Sequence, residues 1–169
     1  MDFIRENILN AADMLETRDD NFFAVIQNRT RFYQKSKSEI VQNAGVLDSS
    51  YKIPGGGMLS SADDLAHFEA AMLADKLVKP ATRELLWTSQ KTPDGRETGY
   101  GLGWGVNHKF FDAFTVGHGG AQQGTSTFIM LIPARRAGVV VLANMENLDT
   151  GFLARQILKI AFDLPGSAD

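Results

Sequence analysis

Gly117-His118-Gly119-Gly120, with Gly124 shortly after it, is the stretch on which the reading of this chain turns. It sits at the end of one β-like run and just before another. Working outward, strands are expected near residues 99–107, 111–118, 125–132 and 138–143. The links between them are short, so neighbours should pair antiparallel. The last strand, Gly138-Val139-Val140-Val141-Leu142-Ala143, is apolar on both faces and should be covered on both sides. Leu153, Ile157, Ile160, Ala161 and Leu164 then recur at helical spacing and predict a terminal helix ending at Pro165-Gly166.

Toward the N-terminus, residues 2–10 read as a short helix with Ile4 and Ile8 on one face. In the segment 22–47, Arg29, Arg31, Lys35 and Lys37 alternate with polar and aromatic residues, the pattern of an exposed hairpin or irregular strand pair. Ile53-Pro54-Gly55-Gly56-Gly57 is a hard break. Ser60 and Ser61 are both candidate N-caps, and Asp63 and Asp64 follow at capping-box spacing. Leu65, Phe68 and Met72 mark the stripe of the helix that follows. A second helix starts at Lys79-Pro80 and runs to about Trp87, and Pro93-Asp94-Gly95 is a turn. The expected architecture is α/β or α+β: an antiparallel meander closed by a helix, with other helices inserted earlier.

Bulk properties narrow the function classes. A chain of 169 residues fits one domain with a real core. Its 44% hydrophobic and 22% charged residues are ordinary globular values. A net charge of −3 gives no electrostatic reason to expect nucleic acid. There is no cysteine, which excludes disulfides and thiolate chemistry. No apolar run is long enough to span a membrane, and Met1-Asp2-Phe3-Ile4-Arg5-Glu6 lacks signal-peptide design.

Several small motifs carry no chemistry. Gly101-Leu102-Gly103-Trp104-Gly105 is no dinucleotide fingerprint, because no helix follows. Gly55-Gly56-Gly57 lacks the Gly-Lys-Ser/Thr of a phosphate loop. His67, His108 and His118 have no metal-ligand spacing, so neither metal nor other cofactor is expected. The basic run Arg29–Lys37 is read as a solvated strand face. For His118 itself two readings stand: an incidental histidine in a glycine-rich hairpin, or a donor at a strand edge that glycine opens to a ligand.

The longer motifs carry a resemblance. The run from Ser49 through Pro54-Gly55-Gly56-Gly57-Met58-Leu59-Ser60-Ser61 to Leu65 resembles a signature of the serine β-lactamase (class C) and penicillin-binding-protein-like family. Tyr100-Gly101-Leu102-Gly103-Trp104, Gly117-His118-Gly119-Gly120, Gly124-Thr125-Ser126-Thr127 and Val139 to Asn144 are similar to its later strands, and Phe3 to Thr17 to its helix and following loop. The resemblance covers nearly the whole chain. It implies the C-terminal portion of a β-lactamase/transpeptidase-like fold, so residues 1–169 read as one partial domain. The usual Pro-Leu-Gly-Met is absent, with Asn10-Ala11-Ala12-Asp13-Met14 in its place.

That family's chemistry needs a Ser-x-x-Lys pair at a helix N-terminus, a Tyr-x-Asn-type element, and Lys-Thr-Gly or His-x-Gly on a strand. The resemblance supplies only the third. It implies that His118 binds or polarises substrate, that Gly119 and Gly120 admit it to the strand edge, that the Ala121 N–H completes an oxyanion hole, and that Asn144 meets a substrate carboxylate. Ser49-Ser50-Tyr51-Lys52 matches Ser-x-x-Lys formally, but Pro54 and three glycines follow at once, so no helix can hold the pair on one face. Tyr33, Tyr51 and Tyr100 are followed two residues on by Lys35, Ile53 and Leu102, so no Tyr-x-Asn exists.

The expected activity of the complete protein is hydrolysis of a β-lactam, ester or peptide-like amide through an acyl-serine, with a small-molecule substrate and with this chain inactive alone. The histidine in the third motif looks more like the esterase and peptidase branches. The competing reading is a non-catalytic relative or partner-binding module. Members of the family are often periplasmic or secreted. In the fold implied, strand 138–143 pairs with a strand from the N-terminal part, so its bare edge is expected to drive a homodimer.

Overall fold

The computed structural model describes residues 1–164. Helix α1 (Asp2–Ile4) runs straight into a wider π turn over Arg5–Leu9. Ile4 packs toward Leu9, Ala12, Met14 and Ala71, as the Ile4/Ile8 face predicts. Strand β1 (Arg18–Asp19) pairs with β4 (Met58–Leu59), and β2 (Tyr33–Lys35) with β3 (Val41–Asn43). The latter is the expected exposed hairpin, with Lys35 paired to Glu39. Helices α2 (Ala62–Leu73) and α3 (Pro80–Leu86) follow. A four-stranded antiparallel sheet, β5 (Gly105–Phe110), β6 (Ala113–Gln122), β7 (Thr125–Ile132) and β8 (Ala137–Ala143), lies in sequence order, and α4 (Thr150–Ala161) closes the fold.

The sheet is covered on both faces. Val116, Leu131 and Trp104 pack with Met72 of α2 and with Trp87. On the other face Met130, Ile132 and Val139 pack with Ala154 and Leu158 of α4. Alternation along the strands assigns these two sets to opposite faces. β8 is accordingly flanked by α2 and α4, as its apolar character requires.

Three local expectations are corrected. Residues 99–104 are not strand, because Gly99 and Gly103 take positive φ (+69° and +80°) and turn the chain instead. Phe111 and Asp112 also take positive φ and form a turn, so β6 begins at Ala113 and continues to Gln122, past the expected end at His118. The capping box is half formed. Ser61 Oγ accepts from the Asp64 N–H, but the Asp64 carboxylate turns away to accept from the Glu16 N–H (2.9 Å), the Thr17 N–H (2.7 Å) and the Thr17 hydroxyl (2.6 Å). The terminal helix forms as the spacing predicts; it seats Gly151, Ala154 and Leu158 on the sheet, whereas Leu153, Ile157 and Ile160 face outward. Both stripes have helical spacing. The one with small residues wins because it lets the helix approach closely: a Cβ on Gly151 would already touch the Phe128 ring at 3.5 Å. The expected stop at Pro165-Gly166 lies outside the described residues.

One buried group is costly. Glu69 of α2 is 4% exposed, and its Oε1 has no hydrogen-bond partner. Its carboxyl fits only because position 138 is glycine, where a Cβ would collide with Glu69 Oε2. Burial pushes its pKa up from 4.5 to about 8, against an opposing hydrogen bond from the Met130 backbone. The folded state therefore holds this proton while the unfolded chain releases it. The contribution of Glu69 to stability is full below about pH 4.5, falls by about 1.4 kcal/mol per pH unit up to about pH 8, and levels above that. Denaturant titrations from pH 5 to 8 should show this slope, and Glu69→Gln should flatten it and raise stability at pH 7 by up to about 3 kcal/mol.

Candidate active site

β6 outruns its neighbour. β5 pairs with it only from Phe110↔Ala113 to Gly105↔Gly117, whereas β7 pairs with it through Gln122↔Thr125. Among the described residues, positions 118–122 therefore have a strand on one side and no strand on the other. This bare edge holds His118, Gly119, Gly120 and Ala121, all exposed. Alternation puts His118 and Gly120 on the face of Val116 and α2, and Gly119 and Ala121 on the face of Phe128 and α4. Without side chains at 119 and 120, backbone groups are accessible from both faces.

His118 Nε2 lies 2.8 Å from the Tyr100 hydroxyl, with the rings in an edge contact at 6.0 Å. Both line a cleft of about 440 Å³ with Gly105, Gly117, Gly119 and Arg155. Sequence reasoning gave Tyr100 no role. The signal was present, because Tyr100 is the one polar aromatic in a run of alternating glycines, Gly99, Gly101 and Gly103.

Of the remaining candidates, the glycines and Ala121 continue the same edge, and Asn144 is placed apart. Gly119, Gly120 and Ala121 share a shallow hollow with Asp149 and Arg155. Asn144 lines a separate, mainly apolar cavity of about 700 Å³ with Gln122, Thr17, Ser60 and Phe68. Its amide donates to Thr30 Oγ1 and to the Arg31 carbonyl, both at 2.9 Å, so it anchors segment 30–31. Ser49 is 2% exposed and its hydroxyl donates to Asp20 (3.3 Å). Lys52 lies in a short 3₁₀ stretch (Ser50–Gly55) with non-helical angles (φ −126°, ψ 39°), and its ammonium sits over the Tyr51 ring. This geometry offers no paired serine and lysine on a helix.

With the edge and its histidine located, comparison with known proteins gives the family: the β-lactamase family model matches residues 1–162. The chain belongs to the β-lactamase family. It is 29% identical to the human mitochondrial serine beta-lactamase-like protein LACTB, over 94% of this chain and 35% of that protein. It is 26% identical to penicillin-binding protein 4* of Bacillus subtilis, over 95% of this chain and 38% of that protein. The chain thus spans little more than a third of the curated relatives it matches. Among solved structures, the octameric penicillin-binding protein homologue from Pyrococcus abyssi superimposes with a TM-score of 0.83 at 24% identity, over 96% of this chain and 37% of that one. D-amino acid amidase from Ochrobactrum anthropi superimposes with a TM-score of 0.74 at 15% identity, over 97% and 51%. The antiparallel sheet between helices is the β-lactamase/transpeptidase fold that the motifs imply.

His118 is exposed, so folding is expected not to depend on its side chain. His118→Ala should change stability by about 0.5 kcal/mol or less, a shift of about 2 °C or less in thermal midpoint. A large loss in a melting scan would make the residue structural.

Proposed function

We propose that this chain forms one wall of the cleft of an acyl-transferring serine hydrolase. The observation that carries the reading is the bare edge of β6 beside His118. Such an edge offers fixed backbone donors to a carbonyl oxygen that becomes an oxyanion, and preorganised donors are worth most there. In the complete protein a serine hydroxyl attacks the carbonyl of a β-lactam, ester or peptide-like amide. The tetrahedral oxygen takes hydrogen bonds including one from the Ala121 N–H, the leaving group departs, and water then releases the acyl group from serine. His118 binds the substrate, while Gly119 and Gly120 let it lie against the strand. Asn144 joins the site only after its amide is released from Thr30 and Arg31. The nucleophile and its lysine come from chain outside these 169 residues. The family membership and the names of the relatives support this reading.

The test is covalent labelling. Incubated with a reactive β-lactam or a fluorophosphonate, the chain alone should give no adduct by intact-mass spectrometry. A stoichiometric adduct on Ser49, abolished by Lys52→Ala, would overturn its inactivity. Sequence upstream of Met1 in the source gene should encode Ser-x-x-Lys and Tyr-x-Asn in frame. The joined polypeptide should then label on that serine, and failure to do so counts against the hydrolase reading.

A second reading, self-association, is favoured by the other edge of the sheet. β8 pairs only with β7 among the described strands. Tyr33 reaches only the chain beyond it, through Tyr33 N–H to the Asn144 carbonyl (2.9 Å) and the Glu146 N–H to the Tyr33 carbonyl (3.2 Å). Val139 to Leu142 carry no charge or proline to discourage another strand. A two-fold antiparallel pairing of two copies through β8 would cover this edge. Light scattering coupled to size exclusion should report a dimer, shifted to monomer by Leu142→Lys. A clean monomer at high concentration excludes this route.

A further inference from the structure

We propose that Tyr100 is a positioning residue for His118: its hydroxyl donates to Nε2, holds the neutral imidazole as the Nδ1–H tautomer, and leaves Nδ1–H as the group offered to a ligand. The choice of cleft wall rests on the hydrolase reading above; the tautomer does not.

Three observations carry it. The first is the contact itself, 2.8 Å between Nε2 and the phenol oxygen. Of its two possible directions, phenol to imidazole is favoured, because a phenol O–H is the more acidic donor and an unprotonated ring nitrogen is a strong acceptor. The second is that His118 Nδ1 has no hydrogen-bond partner among the described residues, so the ring is held at one nitrogen and free at the other.

The third is that Tyr100 is itself held. Its carbonyl accepts from the Gln90 N–H (2.8 Å), and its N–H donates to Thr98 Oγ1 (3.2 Å). The next residue, Gly101, lies so close to α3 that a Cβ there would collide with the Leu86 carbonyl. A tyrosine on so fixed a backbone imposes its geometry on an exposed histidine rather than adapting to it.

A neutral Nδ1–H at the bare edge of β6 donates to an acceptor oxygen, so the arrangement selects ligands that present a carbonyl or carboxylate there. The ring also keeps one orientation without charge, which an exposed histidine left alone would not do.

Ring-nitrogen correlation spectra of the ¹⁵N-histidine-labelled chain, recorded where the imidazoles are neutral, test this directly. His118→Gln assigns the resonances. His67 is an internal reference, because its Nδ1 faces the Asp13 carbonyl at 3.0 Å and must carry the proton. The expected result is a protonated Nδ1 and an unprotonated Nε2 for His118, reverting in Tyr100→Phe to the Nε2–H form that free histidine favours, with the His67 signals unmoved. An Nε2–H form in the unmodified chain overturns the proposal, as does a Tyr100→Phe spectrum identical to it. If Tyr100→Phe does not fold, the tautomer of the unmodified chain decides alone. Loss of the hydrolase reading in the labelling experiment leaves this measurement untouched, so the two failures are distinguishable.

Discussion

Everything at the candidate site depends on the register of β6 against β7. Side chains in a strand alternate, so a slip of one residue would turn His118 from the α2 face to the α4 face and break its contact with Tyr100. The register is fixed by the turn at Gln123-Gly124, where Gly124 takes a φ of +76° that other residues rarely adopt. The turn is clamped from outside as well. Glu146 accepts from the Gly124 N–H (3.2 Å), and Phe32 and Ala44 lie so close that a side chain at 124 would strike both. Asn144 holds the neighbouring Thr30 and Arg31. Its present work is thus to steady the segment that steadies the turn, at a distance from His118.

Helix α2 illustrates the opposite fates of two buried carboxyls on one element. Asp64 meets two backbone donors and a hydroxyl, and in doing so ties the chain at Glu16 and Thr17 to the helix start. Glu69 meets far less and holds its proton instead. The first is an organising contact, joining segments far apart in sequence. The second is a stability cost that the fold accommodates by leaving position 138 without a side chain.

These physics explain what the sequence disclosed and what it did not. β7 and β8 were legible almost to the residue because each holds an apolar run of strand length bounded by a short turn. The hairpin in 22–47, the helix start at Pro80 and the Ser61 cap followed from local chemistry alone. The errors have two causes: positive φ at Gly99, Gly103, Phe111 and Asp112 turned the chain where strand was expected, and at the start of α2 a distant partner decided the outcome. The Asp64 carboxylate abandoned the expected box for Thr17, whose proximity no local pattern encodes. At the site, the glycines around His118 were legible, but Tyr100 was not. Its role depends on a loop that sequence reasoning took for strand, and on positive φ at Gly99 and Gly103 that bring the phenol back toward β6.

Among the described residues the sheet leaves two stretches unpaired, the outer side of β8 and the part of β6 that runs beyond β5, and their chemistry differs. Along β8, valines and a leucine flank the backbone on both faces. An approaching small molecule meets side chains before it meets N–H and carbonyl groups, whereas another strand satisfies the backbone and buries the side chains at once. Along β6, Gly119 and Gly120 leave the backbone open above and below, and the side chain of His118 is held by Tyr100. An edge so stripped gains little from strand pairing, because it has no side chains to bury. It gains more from a compact ligand that brings its own acceptor oxygen to the exposed donors. Rigidity works in the same direction, since donors fixed before binding cost no reorganisation when the ligand arrives. The clamped turn at one end of the β6 edge and the pinned Tyr100 loop at the other supply that rigidity.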